Sequence, residues 1–306
     1  MKENIIEIRD FNLSFGSKKI IDGLNFEVKK GEIFGFLGSN GSGKTTTIRA
    51  LLGIYTPDSG QLLLNGEKFS PEKSHKIGYL PEERGLYKKE KVIDVMVYFA
   101  RLKGLSKKEA LEFSHKFLER VGLLDKKDLK IEKLSGGQQQ KIQLGITIIG
   151  EPDLLILDEP TKGFDPVNRE LLMEIIKEEN ARGATVVMVT HQMEEVEKLC
   201  QRAILLKNGK AEAYGTIDQI RDKYGENRII LEFSGDLPES KLFEIIKKEA
   251  NYAEIKPVAS PREILQELAN FENLTITNFN VQKSTLNEIF LKIYGDQNSE
   301  TEAKNV

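Results

Sequence analysis

Residues 33–37 form an unbroken apolar run that ends at Gly38, Ser39, Asn40, Gly41, Ser42, Gly43, Lys44 and Thr45. Beyond Thr45, Ile48, Leu51 and Leu52 return at helical spacing. A strand, a glycine loop and a helix in this order aim successive backbone N–H groups at phosphate oxygens. Lys44 then reaches the β and γ phosphates and Thr45 becomes a Mg²⁺ ligand. The same grammar recurs downstream. Apolar runs at 154–157 and 185–189 are each followed by a helical pattern, at 171–176 and 193–200. Such alternation predicts an α/β fold with a parallel sheet wrapped by helices.

Ligands of open parallel sheets lie at the carboxyl ends of the strands. Two further strand ends carry chemistry here. Asp158 and Glu159 close the run 154–157, and His191 follows Val189 and Thr190. An isolated Asp-Glu pair is usually a solvated strand end. On the rim that holds a phosphate loop, Asp158 is placed to hold the Mg²⁺ hydration shell and Glu159 to accept a proton from an attacking water. His191 can approach the γ-phosphate or that water. His75 and His115 lack such surroundings and read as surface residues.

Ahead of the loop, residues 5–8 and 24–28 alternate apolar and polar around Gly16, Ser17 and Gly23, as antiparallel strands with turns do. Residues 92–102 and 111–121 show helical spacing and form a helical subdomain, about residues 85–150. Within it lies the pentapeptide Leu134, Ser135, Gly136, Gly137 and Gln138. Locally it reads as a helix start with Ser135 as N-cap, and a helix N-terminus is also an anion site. A chain that already supplies a full phosphate loop has little use for a second in the same pocket.

The chain has 306 residues, enough for one large domain and a small appendage. After 225 the strand and helix patterns restart, predicting an α+β domain over 226–295, and the polar end 296–306 reads as a disordered tail. Forty-five basic against 48 acidic residues leave no global basic field, so nucleic acid is not an expected partner. The single cysteine, Cys200, fits a reducing compartment and a core position. No signal-peptide pattern opens the sequence and no apolar run nears the ~18 residues of a membrane span, which predicts a cytoplasmic chain whose membrane role needs a partner.

Taken together, residues 4–220 resemble the nucleotide-binding subunit of ATP-binding-cassette (ABC) transporters. The resemblance implies a P-loop NTPase fold of ABC type over 1–225, with ATP and Mg²⁺ as cofactors. It implies that Leu134 to Gln138 are the signature that completes the ATP site of a second cassette, identical or paralogous, in a head-to-tail dimer. It adds Thr46 to the ATP-binding residues, makes Asp165 of the segment Gly163, Phe164 and Asp165 an interface residue, and suggests that Phe15 stacks on adenine, although a plain core role is open to that residue. Glu82 stands where the family usually carries glutamine. A carboxylate there keeps metal contact but loses the donor contact. Residues 84–98 resemble the groove that receives a helix of a separate transmembrane permease, which would hold the chain at the cytoplasmic membrane face. The C-terminal domain resembles the accessory domain of ABC-2-type cassettes, a group that includes sodium and drug exporters. Export is therefore the leading expectation, with a soluble ABC ATPase or an ATP-driven mechanical regulator of a membrane partner as alternatives.

Overall fold

The computed structural model describes residues 3–302 apart from Arg84. The chain divides into two compact units, Met1–Gly215 and Thr216–Val306. The first opens with β1 (Asn4–Phe15) and β2 (Lys18–Lys29), joined through a turn in which Gly16 takes a left-handed conformation. Then come β3 (Ile33–Gly38), α1 (Lys44–Leu51), β4 (Ser59–Leu64), β5 (Ile77–Leu80), α2 (Val92–Leu102), α3 (Lys107–Arg120) and α4 (Gly136–Ile148). The unit ends with β6 (Leu154–Asp158), α5 (Pro166–Ala181), β7 (Thr185–Thr190), α6 (Met193–Leu199), β8 (Arg202–Lys207) and β9 (Lys210–Thr216).

β1 and β2 pair antiparallel, as the patterning predicts, and β4, which it does not foresee, adds to β1 in the order β2-β1-β4. The main sheet runs β5-β6-β7-β3-β8-β9, and the pairs from β5 to β8 are parallel. β3, β6 and β7 are buried along their whole length, which is why their sequences are continuously apolar rather than alternating. Phe11, Ile21 and Leu24 of the antiparallel sheet share one core with Phe34, Phe36, Ile48, Val187 and Ile204. Burial of this kind stabilises at roughly 25 cal/mol per Å² of apolar surface, and it clamps α1 between the two sheets. The helical subdomain is held by Ala100, Ala110 and Ile149, flanked by Phe99 and Phe113. A Cβ at Gly145 of α4 would sit 2.4 Å from the Phe117 ring, so α3 and α4 approach where only glycine fits. Cys200 is buried, as expected of a core thiol.

The second unit holds α7 (Ile217–Tyr224), β10 (Asn227–Gly235), β11 (Phe243–Glu249), β12 (Tyr252–Pro257), α8 (Pro261–Ala269), β13 (Leu274–Lys283) and α9 (Leu286–Glu302). Its antiparallel sheet, β11-β12-β10-β13, packs Ile229, Leu231 and Ile255 against Ile264 and Leu268 of α8. Two expectations shift here. The break foreseen at 225 falls at 215/216, because α7 joins the later residues, with Lys283 Nζ donating to Asp222 at 2.6 Å. α9 runs to Glu302, into the stretch expected as a tail, since neither glycine nor proline interrupts it after Gly295. Residues 303–306 lie outside the described residues. Among the described residues no helix is long and apolar enough to cross a membrane.

Candidate nucleotide site

The loop after β3 is shaped by close packing. A side chain on Gly38 would meet Ser42 Oγ at 2.4 Å and the Leu206 carbonyl oxygen at 2.6 Å. Gly43 sits at φ 108° as the N-cap of α1, where a Cβ would lie 2.5 Å from Ile21. No side chain caps this helix, so its first N–H groups face the cleft unclaimed by a cap. Lys44 folds back across the loop, Nζ donating to the carbonyls of Gly38 at 2.8 Å and Ser39 at 3.1 Å. Burial lowers the pKa of its ammonium, while the charges of Glu159, Asp158 and Glu82 raise it.

Opposite the loop, Asp158 is 1% exposed and its Oδ2 accepts from the Thr45 hydroxyl at 3.0 Å. Burial pushes this carboxyl up to about 6. The Thr45 hydrogen bond opposes that rise, whereas the negative charges of Glu82 and Glu159 add to it and Lys44 relieves it. A buried carboxylate short of positive charge, beside a hydroxyl, is an oxygen donor set that suits a hard divalent cation.

Glu159 is held in a left-handed backbone conformation, φ 49°, at the sharp turn after β6, and its N–H donates to the Val189 carbonyl at 2.8 Å. Its side chain is buried and doubly held. Oε1 lies 2.7 Å from His191 Nδ1 and Oε2 accepts from the Thr190 hydroxyl at 3.3 Å. The imidazole is half exposed.

A cleft of about 360 Å³ gathers Asn40, Gly41, Gly43, Lys44, Thr45, Thr46, Glu82, Asp158 and Glu159. Residues separated by more than a hundred positions thus meet on one rim, as strand-end reasoning requires. Lys18 and Ile20 of β2 also line it, and no motif announces them. Two other sequence-predicted groups stand apart. Phe15 is 48% exposed, which rules out a core role, and packs edge-on against Tyr55 with ring centroids 5.2 Å apart. The pentapeptide caps itself: Ser135 Oγ accepts from the Gln138 N–H at 3.3 Å, and Gln138 Oε1 accepts from the Ser135 N–H at 3.0 Å. Gly137 turns toward the Phe164 ring of the loop after Glu159, and Asp165 caps α5 by accepting from the Asn168 N–H at 2.9 Å.

That loop is anchored in a way the sequence does not advertise. The Thr161 hydroxyl donates to Glu195 Oε2 at 3.0 Å, and Arg169 Nε stands 3.4 Å from Glu195 Oε1. Glu195 is 2% exposed and its pKa is raised by burial, against the pull of Thr161 and Arg169. Its only signal is its place four residues after His191.

A family model described as ABC transporter matches residues 21–162, and one described as the C-terminal domain of DrrA1-3-like ATP-binding proteins matches residues 215–294. An uncharacterized ABC transporter ATP-binding protein of Methanocaldococcus jannaschii is 43% identical, over 87% of this chain and 94% of its own length. The chain belongs to the ABC transporter ATP-binding proteins. The linearmycin resistance ATP-binding protein of Bacillus subtilis is 37% identical over 74% of both chains. The structure of cbiO1 from Clostridium perfringens, part of the ABC transporter complex cbiONQ, superposes with TM-score 0.63 at 26% identity, over 72% of this chain and 92% of that one. As an ABC ATP-binding subunit, the chain is an ATPase that binds ATP, powers a membrane transporter and works with transmembrane components.

Proposed function

We propose that this subunit hydrolyses ATP with Mg²⁺ inside a head-to-tail pair of cassettes to drive export. The observation that carries the reading is the Glu159 carboxylate, held by His191 and Thr190 beside the Lys44 and Asp158 rim. Residues 38–46 bind the phosphates through backbone N–H groups and Lys44. Thr45 and Asp158 would hold Mg²⁺, with Glu82 as a third oxygen donor, and the bound cation supplies charge neutralisation of the phosphates. Glu159 accepts the proton of the attacking water, and His191 keeps that carboxylate aimed while its free nitrogen faces the γ-phosphate. Ser135 and Gly137 of the second cassette close the site, and Asp165 lies in the interface.

Export is favoured over the regulator and soluble readings by the match of the second unit to a DrrA-type C-terminal domain and by the kinship with a resistance protein. A membrane permease would then hold the subunit at the cytoplasmic face. Glu159→Gln should bind ATP, stop turnover and elute as a dimer on size-exclusion chromatography. Elution as a monomer under saturating ATP sinks the paired-cassette reading.

A further inference from the structure

The carboxylate at Glu82 adds a third acidic group to a cleft that must bind a polyanion. It lines the cleft with Asp158 and Glu159, and its negative charge reaches both Asp158 and Lys44. A neutral amide would add no such repulsion against triphosphate. The structure offers a counterweight that the motif does not contain. Lys162, in the loop between Glu159 and Asp165, extends its ammonium to Glu82 Oε1 at 2.6 Å.

We infer that Lys162 is a positioning residue that neutralises Glu82 and holds its carboxylate aside, so that nucleotide can enter before any cation arrives. This rests on the nucleotide reading of the cleft. Lys162 does not line the cleft among the described residues, so it acts on the phosphates through Glu82 rather than directly. The pair also joins the segment after β5 to the loop after β6, two stretches 80 residues apart. Both side chains are partly exposed, 42% for Glu82 and 61% for Lys162, so water and salt screen the effect and keep it small.

The test is a double-mutant cycle read by binding of a fluorescent ATP analogue to the full chain in EDTA, where neither hydrolysis nor a cation contributes. Lys162→Met should weaken binding about 3-fold at low ionic strength and less as salt is added. In a Glu82→Gln background the same substitution should change affinity by less than about 1.5-fold, because the charge it screens is gone. Equal losses in both backgrounds overturn the inference, since Lys162 would then act on the phosphates itself. No loss in either background overturns it too. If the unaltered chain fails to bind the analogue, the nucleotide reading falls first. Circular dichroism melts of all four proteins keep a folding defect from passing as a binding effect.

Discussion

Two glycine-rich helix starts occur in one chain, and they are finished in opposite ways. At α1 no side chain caps the first turn, Gly43 takes a left-handed φ, and Lys44 is buried and bent over its own loop. At α4 the first turn is closed by Ser135 and Gln138 against each other, with Leu134 buried beneath them. An uncapped helix start lined by buried charge is incomplete without an anion. A capped one is already satisfied, so a ligand there must compete with an existing hydrogen bond. On the proposed function, the difference means that α1 binds within its own subunit, whereas α4 presents a preformed surface to a second cassette.

That contrast can be broken at several points. Lys44→Ala should cost about 100-fold in ATP affinity, because charge-assisted bonds to phosphate are lost from the uncapped site; isothermal titration calorimetry reads it. Retention of affinity would mean that α1 is no more specialised than α4. Asp158→Asn should raise the stability of the nucleotide-free protein at pH 8 by about 2 kcal/mol. The folded carboxyl, pushed up to about 6 from an ordinary 3.8, binds more protons than the unfolded one between those values, so wild-type stability from this group is lost as pH rises through about 6. The gain in melting temperature should therefore vanish near pH 4, and a pH-independent gain would point to packing instead. Phe15→Ala should weaken ATP binding about 10-fold, the scale of base stacking on an exposed ring. Ser135→Ala should cost only about 1 kcal/mol of stability as a lost cap. It should leave ATP binding by a single subunit unchanged within about 2-fold while lowering ATP-dependent dimerisation. Loss of subunit affinity in that variant would erase the distinction between the two helix starts.

Much of the site is legible in the residues because its parts are local. A phosphate loop needs glycines and a lysine at fixed spacing, and a strand ending in Asp158 and Glu159 shows itself through apolar continuity. The elements that escaped are those whose pattern is weak. β12 and α8 carry short amphipathic runs amid charge, and the β8 and β9 hairpin turns on Asn208 and Gly209, both with left-handed φ. The extent of α9 and the place of α7 escaped as well, since both depend on contacts with distant residues rather than on spacing.

By itself the sequence determined the kind of machine: a parallel sheet with one complete phosphate loop, a paired acid, a histidine and a helical insert bearing Leu134 to Gln138. Each of these follows from backbone geometry and side-chain chemistry within a few residues. Only the tertiary structure decided who faces whom. It joined His191 to Glu159, braced the intervening loop through Thr161 and Glu195, and set Lys162 on Glu82. Those pairings are made by strand order and by burial that changes the cost of charge, and neither quantity is written in any single stretch of the chain.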